Sequence, residues 1–403
     1  MTDLEKWVET ANEAKLKLSS QVFTHISTHN AYQIGQIVYF PQGTGALGPK
    51  QRRNSSNSLR CSLPRMEPTP SGPCDYGTLS GLRSGMLKSL VGLLAVVCFT
   101  FAAGAQTLTA SGWAPTVGHT TIPLWPAGAP GASTTKGAEQ DTTTSKDHQV
   151  AGRAVVRIGN VSRPTITLYP ALPARNSGAA VVVFPGGSYR IVAIDLEGTE
   201  VCDWLNSIAV NCVLLKYRVP QTGPFPKSDA ALQDAQRALG IVREHAAEWR
   251  IDPKRIGVLG FSAGGHLAAA LSTHHDQRQY SPLDPADQQS CRPDFAVILY
   301  PGYLAIAEKN FEFSPDIPVT ASTPPAFIVQ AEDDPVHVEN AVEYFMALKK
   351  AGVPAELHIY AQGGHGYGLR PTAMPVTQWP QLATEWLRTI GILQKTPDEG
   401  NHK

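Results

Sequence analysis

The segment RIGVLGFSAGGHLAAALSTH, residues 255–274, limits the folds open to this chain more than any other stretch. It begins apolar and β-prone and ends with helical composition, so a strand breaks into a helix around Ser262. A turn that sharp leaves no room for β-carbons beside the serine. That accounts for Gly260, Gly264 and Gly265, with the small Ala263 among them. The pattern G-x-S-x-G is only moderately specific alone. Between a strand and a helix it is the arrangement that lifts a serine hydroxyl above a sheet as a nucleophile.

The same alternation of strand and helix continues on both sides. AAVVVFPGG (179–187) is an unbroken apolar run ending in glycines, the signature of a strand buried on both faces. Helix follows through 197–209, strand in NCVLLKYRV (211–219), and a long amphipathic helix in 228–249. Beyond the serine, DFAVILY and PAFIVQA read as buried strands, 338–352 as a helix ended by glycine, AELHIYA as the last strand and 378–393 as the last helix. AVVRI (154–158) and TITLYP (165–170) are expected at an antiparallel edge. The pattern predicts an α/β fold with a mostly parallel central sheet of about eight strands and helices on both faces. In such sheets the site lies beyond the carboxyl ends of the strands.

A serine hydroxyl is a poor nucleophile without a base. YAQGGHGYGL follows the last strand and puts His365 in a glycine-rich loop that can fold over Ser262. His266 is the other histidine nearby, but it lies on the helix that the serine begins and is read as structural. His274, His275 and Asp276 are read as a solvated helix end rather than as metal ligands, because adjacent helical residues point apart. The base needs a carboxylate to hold its tautomer. Glu332, Asp333 and Asp334 end a strand between the serine and the histidine, and Asp333 is the first choice, with Asp334 second. For a tetrahedral oxyanion, the backbone N–H groups of Ala263 and Gly187 are the expected donors, with Gly186 and Ser188 as further candidates. Tyr189, Trp125 and the segment 303–325 are candidate borders of a substrate pocket.

The chain has 403 residues, and its 34 basic residues balance 34 acidic ones, so no net charge favours nucleic acid or an anionic membrane as partner. Residues 1–85 lack sustained periodicity and read as a disordered or non-native upstream extension. From Met86 to Ala105 a lysine, an apolar run and Ala103-Gly104-Ala105 have the layout of a secretory signal peptide. The run is short for a bilayer, which needs about 20 residues, although an internal anchor is the alternative. The expected catalytic domain is 106–395, with a flexible tail over 396–403, and the expected location is secreted or periplasmic, with no stable membrane insertion after cleavage. Cys202, Cys212 and Cys291 lie in that domain; buried free thiols are expected, with at most one disulfide.

Taken together, FPGGSYR, LKYRVP, DAQRALGIVR, IDPKRIGVLGFSAGGHLAA, EDDPVHVENAVEYFMALKKAGVPAELHIY and GGHGYGL resemble the α/β-hydrolase superfamily. More narrowly, they resemble the secreted bacterial esterases related to acetylxylan and feruloyl esterases. The resemblance covers almost all of the region after residue 106. It implies hydrolysis of short acyl esters, with acetyl groups on plant cell-wall polysaccharide such as xylan as the expected substrate. It further implies a Ser262, His365 and Asp333 triad with no metal or cofactor. Some relatives are labelled endo-1,4-beta-xylanases, but glycoside hydrolysis usually needs two carboxylates across a sugar, and no such pair is visible. A serine peptidase of the same fold, a general short-chain carboxylesterase, and a non-catalytic binding protein are the competing readings.

Overall fold

The computed structural model describes residues 112–131 and 135–394. The expected upstream extension, signal peptide and C-terminal tail lie outside the described residues. Strands form where β-branched and aliphatic residues run without interruption. β5 (Ala180–Phe184), β7 (Asn211–Lys216), β8 (Ile256–Phe261), β9 (Ala296–Leu299) and β12 (Ala326–Ala331) are buried at every position. Burial on both faces is what removes the polar alternation from their sequences. With β1 (Thr120–Pro123), β4 (Thr165–Tyr169) and β13 (Ala355–Tyr360) they make one sheet of eight strands in the order β1-β4-β7-β5-β8-β9-β12-β13. From β7 to β13 every pairing is parallel; β4 joins β7, and β1 joins β4, antiparallel.

The crossovers supply the two covering layers. The chain passes from β5 through α1 (Glu200–Ser207) to β7, then reverses direction across the sheet through α2 (Asp229–Glu244) to β8. It continues through α3 (Ala263–Thr273) to β9, and α4 (Glu339–Lys350) links β12 to β13. Right-handed crossovers running in opposite directions lie on opposite faces of a sheet. α1 and the last helix, α5 (Trp379–Thr389), accordingly meet through the rings of Trp204 and Trp379, 5.0 Å apart. The reversal falls between β5 and β8, and the crevice that it opens at their carboxyl ends is where Gly186, Gly187 and Ser262 lie.

Three expectations need correction. AVVRI does not join the main sheet: β3 (Arg157–Gly159) pairs with β2 (Gln140–Asp141) and β6 (Ile191–Ala193) in a separate three-stranded sheet. The outermost strand is instead β1, whose mostly exposed TTIP carries too little apolar signal to be seen among turns. Two of the three cysteines expected as free thiols are joined, Cys202 of α1 to Cys212 of β7, with Cα atoms 5.1 Å apart; Cys291 is free and buried. Their separation becomes a bridging distance only when α1 folds back on β7.

Trp125, a candidate border of the pocket, is buried within a cluster of charged side chains. The guanidinium groups of Arg218 and Arg237 each lie 5.7 Å from its ring centroid, and its Nε1–H donates to Asp234 at 2.7 Å. Asp234 also accepts from Arg218 Nε at 2.9 Å and from the Arg218 backbone N–H at 2.8 Å. One buried carboxylate thus ties the segment after β1 and the turn after β7 to α2. Removing it strands a buried guanidinium. Asp234→Ala is expected to lower the unfolding free energy by about 3–5 kcal/mol, read from chemical denaturation; a loss below about 1 kcal/mol, the scale of exposed pairs, would show that the network is not structural.

Candidate active site

Ser262 stands between β8 and α3 in a conformation that side chains avoid, with φ +52° and ψ −115°. Such a residue costs on the order of 1–3 kcal/mol unless its surroundings hold it. Here its N–H donates to Leu299 O at 3.0 Å, and its carbonyl accepts from His266 N–H at 3.0 Å and Gly302 N–H at 3.3 Å. The flanking glycines let the turn close. A β-carbon at Gly260 would strike the Gly264 carbonyl, and one at Gly264 would strike the Phe184 carbonyl. The start of α3 therefore lies directly against β5 and β8, and the serine side chain is left at the sheet top.

His365 arrives from the loop after β13, between Gly364 (φ +61°) and Gly366 (φ +72°). Its Nε2 lies 2.8 Å from Ser262 Oγ and its Nδ1 lies 2.8 Å from Asp334 Oδ2. With Nδ1 protonated toward the carboxylate, Nε2 is left to accept the serine proton. Asp334 is buried, and it also accepts from Gln330 Nε2 at 3.2 Å and from Val336 N–H at 2.7 Å. The first-choice acid, Asp333, does not meet the histidine. It is exposed, and its Oδ1 instead accepts the Gly363 and Gly364 N–H groups at 2.9 and 2.7 Å. The turn after β12, closed by Asp334 N–H on Ala331 O, swings residue 334 inward beneath the loop and leaves residue 333 outside to cap it.

The loop after β5 also differs from expectation. Gly186 N–H donates to Glu197 Oε2 at 2.6 Å, which removes it as an oxyanion donor. Ser188 is exposed, with φ +54°. Gly187 has φ +131°, and its N–H donates to no protein acceptor among the described residues. Ala263 N–H heads the first turn of α3, where helical N–H groups have no intrahelical partner and carry the positive end of the helix dipole.

Tyr189, a candidate substrate contact, is fully buried instead, and its hydroxyl shares a 2.7 Å hydrogen bond with His266 Nδ1. Burial pushes the Tyr189 hydroxyl well above its ordinary range and His266 down to about 3. His266 is thus a neutral packing residue. The exposed ring here is Tyr303, which stacks on Tyr189 at 6.2 Å and sits edge-on to His266 at 5.8 Å. Glu197 was not anticipated. It occupies a π-helical turn (Asp195–Thr199) before α1, buried, with its pKa raised by that burial. The available signal was a pair of carboxylates, Asp195 and Glu197, inside the largely apolar IVAIDLEG, next to a glycine-rich loop.

Comparison with known proteins places these features in context. A family model described as BD-FAE matches residues 206–300, from the end of α1 through the serine turn to the end of β9. The chain is 32% identical over 244 residues to an acetylxylan esterase of Xylanibacter ruminicola, covering 54% of this chain and 47% of that protein. It is 30% identical over 204 residues to endo-1,4-beta-xylanase B of Butyrivibrio fibrisolvens, covering 46% of this chain and 32% of that one. It therefore spans less than half the length of either curated relative. Among solved structures, the acetyl ester-xyloside bifunctional hydrolase of Caldicellulosiruptor lactoaceticus matches with a TM-score of 0.52 and 35% identity, over 68% of this chain and 97% of that one.

The depressed pKa of His266 makes stability depend on pH. The unfolded histidine binds its proton near the ordinary 6.5 and the folded one near 3, so the unfolded state holds more protons between those values. This contribution is present above pH 6.5 and is lost as pH falls through the window, by up to about tenfold in the folding constant per pH unit. His266→Gln, which keeps a partner for the tyrosine hydroxyl, is expected to flatten the stability profile over that range relative to wild type. Identical slopes in pH-dependent denaturation would refute the assignment.

Proposed function

This chain belongs to the α/β-hydrolase superfamily, among the esterases related to acetylxylan esterases, and on that premise we propose that it is a serine carboxylic-ester hydrolase acting through Ser262, His365 and Asp334. The observation that carries this reading is the continuous relay of two 2.8 Å contacts, Ser262 Oγ to His365 Nε2 and His365 Nδ1 to Asp334. His365 takes the serine proton as Oγ attacks the ester carbonyl carbon. The tetrahedral oxyanion receives the N–H groups of Gly187 and Ala263, and Asp334 stabilises the imidazolium. Collapse expels the alcohol, which leaves with the proton from Nε2, and an acyl group stays on Ser262. Water then repeats the sequence, releasing the acid and restoring the serine.

The substrate we propose is a short acyl ester, chiefly acetyl, on a xylan-type polysaccharide. The names of the relatives, an acetylxylan esterase and an acetyl ester-xyloside hydrolase, support it. Glycoside cleavage is disfavoured by the state of the two buried carboxylates here. Asp334 is committed to His365, and Glu197 to Gly186 and Tyr300, so neither is free to flank a sugar. We further propose export, with cleavage after Ala105. The layout of Met86–Ala105 supports it, as does the Cys202–Cys212 disulfide, since disulfides persist in oxidising compartments.

A panel of p-nitrophenyl acyl esters, acetylated xylan, deacetylated xylan and a peptide tests the substrate class. Release of acetate from the acetylated polymer is expected, without reducing sugar from the deacetylated one. Sugar release or peptide cleavage would overturn the reading. Ser262→Ala is expected to abolish ester hydrolysis in a folded protein. Asp334→Asn should lower kcat by about 10³–10⁴-fold, and Asp333→Asn by far less, because Asp333 only holds the histidine loop. Equal losses in the two would unseat Asp334. Expressed from Met86 in a bacterium, the exported protein should begin near Gln106 by mass spectrometry, and an intact Met86 terminus would point to a membrane anchor instead.

A further inference from the structure

Glu197 carries a charge-bearing group into the interior without the usual compensation. Its neighbours Asp195 and Glu200 are both bound by Arg370, at 3.0 and 2.8 Å. Glu197 has no basic side chain among its hydrogen-bond partners in the described residues and is only 4% exposed. Burying a carboxylate in this way is costly and needs a return. Its bonds indicate where the return lies. Oε2 accepts Gly186 N–H at 2.6 Å, and Oε1 accepts the Tyr300 hydroxyl at 2.8 Å. The Tyr300 oxygen in turn accepts Gly368 N–H at 3.1 Å, and its ring packs edge-on against His365 with centroids 5.0 Å apart. One carboxylate thus joins the loop after β5, the residue after β9 and the loop that carries His365.

Gly186 and Gly187 hold consecutive amides with different tasks. A β-carbon on Gly186 would come within 2.7 Å of Glu197 Oε2 and 3.0 Å of Ser262 Cβ, so the glycine is wedged between carboxylate and nucleophile. Its N–H is buried and must find an acceptor. Glu197 supplies one on the interior side and so fixes the Pro185–Gly186 peptide plane, one residue ahead of Gly187 with its φ of +131°. We propose that Glu197 is a positioning residue: by holding Gly186 N–H inward it aims Gly187 N–H at the oxyanion, and through Tyr300 it fixes the histidine loop in register with that donor. This inference rests on the ester-hydrolase reading. Glu197 touches neither substrate nor reacting atoms; its effect runs through the neighbouring amide.

The test compares wild type with Glu197→Ala, Glu197→Gln and Tyr300→Phe. The readouts are kcat and KM on p-nitrophenyl acetate and inhibition by phenylboronic acid, which forms a tetrahedral adduct on the serine oxygen, with circular dichroism and melting to monitor the fold. Loss of a whole oxyanion donor costs about 10²–10³-fold in kcat. Misaiming one through Glu197→Ala should cost about 10–100-fold, with KM little changed and boronate affinity falling in parallel. Glu197→Gln should rescue most of this, because its carbonyl can still accept from Gly186 and its amide can donate to Tyr300. Tyr300→Phe removes only a hydroxyl and decides the case if Glu197→Ala does not fold: a lower kcat at unchanged KM supports the proposal, and a wild-type kcat overturns it. A folded Glu197→Ala with lowered melting temperature but unchanged kcat would overturn it as purely structural. A Glu197→Gln variant as impaired as Glu197→Ala would overturn the acceptor role in favour of charge. Wild-type protein inert towards every ester of the panel overturns the ester-hydrolase reading and this inference with it; active wild type beside unaffected variants overturns this inference alone.

Discussion

The left-handed backbone at Ser262 is the constraint around which the rest of the site is arranged. It persists because β9 holds its N–H and α3 and the turn after β9 hold its carbonyl, and because glycine at 260 and 264 lets helix and strands approach more closely than any side chain permits. Strain of this kind is tolerable only inside a rigid frame. The frame is the five-strand block of fully buried β-structure, whose parallel pairing puts every carboxyl end on one side. Loosening that frame would relax the serine toward ordinary dihedrals and draw its hydroxyl away from His365.

Three carboxylates near that frame show how environment assigns work to identical chemistry. Asp333 is exposed and ties down two backbone amides of the histidine loop. Asp334, one residue later, is buried and faces the imidazole. Glu197 is buried as well and holds an amide of the glycine loop and a tyrosine hydroxyl. All three fix loops, and the loops come from β5, β12 and β13. Catalytic sites of this sort gain precision less from the reacting groups than from what keeps the loops in place.

The two histidines nearest Ser262 separate in the same way. His266 follows the serine by one helical turn, is sealed beneath Tyr189 and Tyr303, and is kept neutral by burial. His365 is remote in sequence but partly open to solvent, with one nitrogen on the serine and the other on an acid. Sequence proximity favours the first and geometry favours the second. A base must reach the proton it takes, and the His266 ring is engaged by the buried Tyr189 hydroxyl, whereas His365 Nε2 lies 2.8 Å from Ser262 Oγ.

Local pattern alone determined a good deal about this protein. Unbroken apolar runs bounded by glycines read as strands buried on both faces, and glycines packed around one serine between a strand and a helix read as a tight turn. The order of strands and helices, the position of Ser262 at a strand-to-helix turn and the place of His365 in a glycine-rich loop after the last strand followed from that periodicity and spacing. Tertiary structure decided what depends on direction rather than order. Which of two adjacent aspartates turns inward was set by a single turn hydrogen bond after β12. Whether Tyr189 faces substrate or core was set by the reversed backbone that follows Gly187. That Cys202 meets Cys212, that AVVRI leaves the main sheet, and that Glu197 captures Gly186 were set by how α1 and β6 fold back over the sheet. Side-chain period encodes which face a residue occupies within an element; where loops reverse, that period is lost, and only the contacts between elements distant in sequence determine where each group points.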